Sequence, residues 1–350
     1  MTQMTPIEMQ FSGKQFGWGE SQDPLIHRYY KERLEAEKNE EEGLYSDIPE
    51  LVIAKGEETP MESLVRSKMP FDDGWDFDVV DRLLFGHVPY VNQNPVGSCV
   101  GAGSASVVAS KSAQEILIEG DPENPLGLSV DASGRNTNLK DCGIPFVGYH
   151  YGCGKTKSRW NGERFTGRGT CSDGSYCSAQ IWALKTTGVI ACSEVKDFRK
   201  GPQSDDVRSW GCNKRGELND HLEFGLKHLM KNTTRVRSGD DLANVVSVLK
   251  QPCMVCSGWA FAPDHYVDGL GWVYKKRGSW AHNMSIVAVV EYKTQWYVKV
   301  RNQWGANAHK DGWHFWIDLD LADKWMKQAE CQSIGELNLF PAESIPDFPY

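Results

Sequence analysis

Gln93-Asn94-Pro95-Val96-Gly97-Ser98-Cys99-Val100-Gly101-Ala102-Gly103 is the stretch from which the rest of the chain is read. A glutamine stands six residues before a cysteine. A Gly-Ser turn precedes the cysteine, and small and apolar residues run from Ala102 to Ala109. The pattern predicts a helix that opens at Cys99. Unpaired backbone N–H groups and the positive end of the helix dipole favour a thiolate there. The same N–H groups lie where an oxyanion would form, and the Gln93 side chain offers a second donor.

Partners for such a thiol stand far downstream. Ser279-Trp280-Ala281-His282-Asn283-Met284-Ser285-Ile286-Val287-Ala288-Val289-Val290 places a histidine at the head of an apolar run that reads as a buried strand. A second strand, Gln295 to Arg301, ends at Asn302-Gln303-Trp304-Gly305. A hairpin through Glu291–Thr294 brings His282 and Asn302 together. An asparagine side chain accepts from an imidazole N–H and so fixes the ring. Taken alone, Cys99 reads as a small buried residue, His282 as structural and Asn302 as a turn residue. Their order along the chain, with Gln93, lifts them above that.

The succession Gln93, Cys99, His282 and Asn302-Gln303-Trp304-Gly305 resembles the papain-like cysteine peptidases. Cys171-Ser172-Asp173-Gly174 is similar to the family's Cys-x-Gly-Gly turn beside the cleft. Ser178 to Leu184, with Gly188-Val189, resembles the helix and exit loop that follow. Leu249 to Val255 resembles a strand entering the sheet half, and Asp311-Gly312-Trp313 to Ile317 the late Gly-aromatic strand. The blocks are scattered over roughly Trp75 to Ile317.

The resemblance implies an α+β, papain-like two-lobe fold, with a helical lobe and an antiparallel, barrel-like sheet lobe. It implies Cys99, His282, Asn302 and Gln93 as the catalytic set, with Gly174 binding substrate backbone. Trp304 would shield the His–Asn bond from water. No metal and no cofactor is expected, and the substrate is a peptide or protein. Two other classes stay open: a latent or non-catalytic subunit of a large assembly such as a virus particle, and a peptidoglycan amide hydrolase. The Asn-x-Trp-Gly segment favours the peptidase over the latter.

Departures mark a remote relative. Val100 stands where the family has an aromatic residue, and Gln303 where it has serine; Gln303 is expected to be neutral. Val96 replaces the cysteine that pairs with the one at Cys171, so Cys171 is expected as a thiol or bonded to Cys177. The Cys99-to-His282 interval exceeds the family's ~130–150 residues, which predicts an insertion near 120–170.

The 350 residues carry a net charge of −9, which argues against nucleic-acid binding. No apolar run reaches the roughly 20 residues that span a bilayer. The start Met1-Thr2-Gln3-Met4 has no basic or apolar signal region, so a cytoplasmic or particle-borne protein is expected. Ten cysteines leave several bridges open, Cys142/Cys153, Cys171/Cys177 and Cys192/Cys212 among them, but reduced thiols are favoured. Zinc held by Cys142, His150, Cys153 and Cys171 matches no common ligand spacing.

Residues 1–70 are read as a charged arm that docks on an assembly partner, or as a pro-segment lying over the cleft. Residues 71–320 form the catalytic domain, and residues 321–350 a short helix and tail. Within the insertion, Gly148 to Lys157 contains Gly-x-Gly-Lys-Thr, which is read as surface loop rather than phosphate site. His150, His265, His309 and His314 are expected as surface or packing residues.

Overall fold

The computed structural model describes residues 60–93, 96–119, 145–169, 171–190, 195 and 206–337. Most of the charged arm, the Cys142 and Cys192 segments and the end of the tail lie outside the described residues.

Five helices carry the first half. They are α1 (Pro60–Ser67), α2 (Phe77–Phe85), α3 (Cys99–Gln114), α4 (Val147–Lys155) and α5 (Cys177–Thr186). β1 (Asp73–Asp76) lies between α1 and α2. Short helical turns fill 206–225 and 239–248. The second half is a sheet: β2 (Arg235–Val236), β3 (Cys253–Val267), β4 (Gly271–Tyr292), β5 (Gln295–Arg301), β6 (His314–Asp318) and β7 (Glu330–Ser333). α6 (Leu319–Met326) joins the last two.

The strands run in the order β2-β7-β3-β4-β5-β6, with β1 on β4. Neighbours are antiparallel, apart from a parallel contact between β4 and β6 at Val273 and Trp316. Helices and an antiparallel sheet form as expected, and the barrel-like sheet is open rather than closed. β2 is only two residues long and ends the order at one edge. β3 and β4 bend through shifts of register at Ser257, Trp259 and Pro263.

α3 follows from its composition. All sixteen of its residues are buried. A helix enclosed on every side needs small residues, and Gly, Ala and Ser supply them. At Gly103 a Cβ would come within 1.8 Å of Asn283 Oδ1, so only glycine lets the helix approach β4 this closely. Gly101 lies against Tyr151 in the same way. The far half of β4 is a continuous buried run, Met284 to Val290, because it is covered on both faces.

Two findings differ from the sequence reading, one in the insertion and one in the charged arm. α4 is buried from Val147 to Gly154 and packs Tyr149 and Cys153 with Trp210 and Leu218. Its glycines are helix contacts: a Cβ on Gly152 would strike the Trp210 carbonyl at 2.3 Å. The Gly-x-Gly-Lys-Thr resemblance to a phosphate loop therefore has a packing cause. In α1, Val65 is fully buried in the sheet core, so the described end of the charged arm contributes to that core.

A buried ionic cluster ties the halves together. Lys299 Nζ lies 2.6 Å from Asp76 and 3.1 Å from Asp78. Arg301 Nη2 lies 2.5 Å from Asp78 and 2.8 Å from Asp81. Arg301 Nη1 also donates to Ser106 on α3 at 2.9 Å. Burial opposes ionisation of Asp78, but Lys299 and Arg301 together hold it well below the usual carboxylate range. Asp81 has one cation fewer, and burial pushes it up to about 6. The cluster fixes the end of β5, the residue before Asn302.

Candidate active site

The turn before α3 is held by its own backbone. Val96 N donates to Gln93 O at 3.3 Å, and Ser98 N to Val96 O at 2.7 Å. Gln93 Nε2 donates to Val96 O at 3.3 Å, and Gln93 is buried. Cys99 opens α3, as the sequence predicts, and is 0% exposed.

Gly174 meets this turn. Its N–H donates to Gly97 O at 2.8 Å, and Tyr151 Oη donates to the same carbonyl at 3.0 Å. A side chain on Gly97 would strike Asp173 Cβ at 2.4 Å. The Gly174 segment is anchored on both sides. Arg208 pairs with Asp173 at 3.0 Å, and Cys171 forms a disulfide with Cys212. This overturns the expectation that Cys171 is a thiol or bonded to Cys177. Spacing misled: Cys212 is distant in sequence, but the turn after Trp210 folds back beside Gly169, whose N–H donates to Cys212 O at 3.1 Å. With Cys171 bonded to Cys212, the sequence-derived pairs Cys171/Cys177 and Cys192/Cys212 do not form.

The hairpin forms as predicted. Ser285 stands opposite Arg301 across β4 and β5, which leaves His282 and Asn302 beyond the paired ladder at the same end. His282 Nε2 lies 2.8 Å from Asn302 Oδ1. The orientation of the Asn302 amide follows from a third group. Gln303 N–H, which can only donate, meets the same atom at 2.7 Å, so that atom is oxygen. His282 therefore carries its proton on Nε2. The Asn302 amide nitrogen then donates to His309 Nε2 at 2.9 Å.

His282 Nδ1 is buried and has no hydrogen-bond partner. It is the nitrogen left to exchange a proton with a thiol. Burial pushes the imidazole down to about 4, with the bond to Asn302 offsetting part of the effect. His282 is neutral at pH 7, with a lone pair on Nδ1. Trp304 stacks on it at 4.3 Å between centroids, and Trp280 meets Trp304 edge-on at 6.5 Å. A cavity of ≈ 20 Å³ beside the ring is walled by Trp259, Phe261, Trp280 and Met284 and has room for about one water.

Two residues gain roles that the sequence did not assign. His309 is half-buried and packs against Asn302, the packing option of the sequence reading, and desolvation pushes it down to about 3. Gln303, expected to be neutral, is buried. It accepts from Gln93 N at 2.8 Å and donates to Ser285 Oγ at 3.0 Å. Ser285 in turn donates to Gly103 O on α3 at 3.1 Å. Neither signal was available beforehand, because both depend on contacts between distant segments.

The structure thus joins His282, Asn302 and Trp304 directly. It joins Gln93 to them through Gln303, and Gly174 to the Cys99 turn through Gly97. The zinc set considered from the sequence does not assemble, since Cys171 is in a disulfide. Among the described residues, the cluster with metal-ligand spacing is Cys177, Cys256 and Glu330.

No family profile and no curated protein matches the sequence. Solved structures similar to this one include xylellain, a cysteine protease from Xylella fastidiosa. It matches with a TM-score of 0.44 and 15% identity over 83% of this chain and 95% of that one. Procathepsin B S9 from Trypanosoma congolense matches with a TM-score of 0.44 and 11% identity, over 78% of this chain and 80% of that one. Bromelain from Ananas comosus, in complex with the E64 inhibitor, matches with a TM-score of 0.39 and 13% identity, over 75% and 99%. Likenesses at this level decide neither the fold nor the activity of this chain.

Proposed function

We propose that this chain is a papain-like cysteine peptidase that hydrolyses peptide bonds through Cys99, His282 and Asn302. The observation that carries the proposal is the His282–Asn302 bond of 2.8 Å. Gln303 N–H fixes its polarity, Trp304 covers it, and Nδ1 is left without a partner.

His282 Nδ1 takes the Cys99 proton as the sulfur attacks the scissile carbonyl. The sulfur–carbon bond forms and the carbonyl becomes an oxyanion. Gln93 Nε2 and the Cys99 backbone N–H donate to that oxygen. His282, now an imidazolium held by Asn302, gives its proton to the leaving amine as the carbon–nitrogen bond breaks. Water then attacks the thioester with Nδ1 as base, releasing the acid and the thiol. Gly174 offers main-chain polar groups to an extended substrate.

A second reading, a latent structural subunit, is favoured by one observation: Cys99 is 0% exposed. Hydrolysis of a fluorogenic peptide library separates the two. A peptidase cleaves members of the library, and Cys99→Ala abolishes cleavage. A latent subunit cleaves none, with or without the substitution.

A further inference from the structure

Cys177, the first residue of α5, and Cys256 on β3 are both fully buried, and their sulfurs lie 2.6 Å apart. That is too close for two ligands of one zinc ion. Zn–S bonds of about 2.3 Å in a tetrahedron hold their sulfurs roughly 3.8 Å apart. It is also inside the contact distance of two unbonded sulfurs. Asn283, opposite Cys256 across β3 and β4, turns its amide nitrogen to both sulfurs, at 3.3 Å to Cys177 and 3.2 Å to Cys256. In this orientation the amide nitrogen donates to both sulfurs, and Asn283 Oδ1 is buried without a hydrogen-bond partner. The carboxylate oxygen beside the pair is that of Glu330, within 4.8 Å of both sulfurs. The donating amide suits a pair of sulfurs that only accept.

We propose that Cys177 and Cys256 form a disulfide that fastens the helical half of the molecule to the sheet. The Cys171–Cys212 bridge stays within the helical half, whereas this one spans 79 residues and joins α5 to β3. Burial of both sulfurs places the chemistry before α5 closes on the sheet. A small disulfide such as oxidised glutathione is the oxidant. One protein thiolate attacks it, releases one glutathione and forms a mixed disulfide; the second protein thiolate displaces the other glutathione. Two protein thiols lose two protons and two electrons, and one oxidised glutathione becomes two reduced ones. Cys99 packs in the same apolar cluster as both cysteines, so the bridge braces the surroundings of the helix that Cys99 opens.

Peptide mapping tests this. The full chain is refolded in a glutathione redox buffer until the Cys171–Cys212 bridge has formed. It is then denatured, alkylated with iodoacetamide and digested without reduction. The expected result is a Cys177 peptide linked to a Cys256 peptide, two hydrogens lighter than their sum and separated by a phosphine reductant. In Cys177→Ala, Cys256 becomes alkylated. Alkylation of both cysteines in the unreduced wild type would overturn the proposal. So would linkage of either one to Cys142 or Cys192, or one equivalent of zinc whose removal exposes both thiols.

Discussion

Gln93 and Gln303 are joined main chain to main chain, N–H to carbonyl at 2.8 Å. One residue is the proposed side-chain donor to the oxyanion. The other follows the asparagine that orients the histidine. A single bond thus sets the turn before Cys99 against the end of β5, and the two sides of the proposed reaction keep a common frame.

The side chains at the two ends of this link have separable effects. Gln93→Ala should lower kcat by about 10²–10³-fold, the usual cost of one oxyanion donor, with little change in melting temperature. Gln303→Ala removes the donor to the buried Ser285 hydroxyl, which keeps its own bond to Gly103 O on α3. It should cost about 1–3 kcal/mol of stability, read by denaturant unfolding. An unchanged kcat in Gln93→Ala would remove the glutamine from the mechanism.

Asn302 is held between two histidines, and His309 supplies the acceptor that keeps its nitrogen turned away from His282. His309→Leu removes that acceptor. It should lower kcat by up to about 10²-fold, the scale of a small misplacement, with KM little changed. His309→Gln, which can still accept, should restore much of the loss. Equal activity in wild type and His309→Leu would make His309 a packing residue only.

Acid should destabilise the fold below about pH 6.5 through its desolvated histidines, with Asp81, raised to about 6, acting in the opposite sense. His282 is pushed down to about 4, and His309 and His314 to about 3, burial being the leading cause in each. Their folded values lie below the ordinary 6.5 of an unfolded histidine. As pH falls through 6.5 the unfolded chain takes up protons that the folded chain refuses. Stability is fully present above about pH 6.5 and is lost towards pH 4. The slope reaches about 1.4 kcal/mol per pH unit for each proton. His314→Gln should flatten the curve between pH 6 and 4 in urea titrations at fixed pH. A slope no shallower than wild type would show that His314 carries none of this pH dependence.

Lys299 neutralises Asp76 and Asp78 in a place without solvent. Lys299→Met keeps the length and removes the charge, leaving buried carboxylates short of a cation. The expected cost is about 3–5 kcal/mol, measured by chemical denaturation. A loss below about 1 kcal/mol, as for a surface pair, would show that the cluster is hydrated in solution.

Reduction of Cys171–Cys212 should loosen the loop that presents Gly174. The bridge closes 41 residues, and a loop of that order is worth about 2–4 kcal/mol. Cys171→Ala should raise KM more than it lowers kcat if Gly174 has the substrate-binding role proposed for it, because the His–Asn pair lies elsewhere. An unchanged KM would place Gly174 outside the binding surface.

The elements legible in the sequence are those with a local cause. Small residues after Gly97-Ser98 announced α3, and two apolar runs announced β4 and β5. The turn between them was located but not its type. Lys293 and Thr294 both have positive φ, 51° and 66°, without the glycine or asparagine that usually marks such a turn. What escaped was non-local. Cys212 meets Cys171 only after the chain folds back, and α4 looks like a loop because its glycines serve helix contacts. Lys299 and Arg301 look like solvent-facing positions of a strand until Asp76, Asp78 and Asp81 are brought beneath them. His309 gains its meaning only from Asn302.

The most direct measurement is covalent labelling of the native protein with a thiol-directed peptidyl epoxide, followed by mass mapping. A catalytic Cys99 predicts one adduct, on Cys99, that disappears in His282→Ala and is blocked by a competing peptide substrate. No adduct on Cys99 in the folded protein, with labelling only after unfolding, would contradict the peptidase and leave the latent subunit.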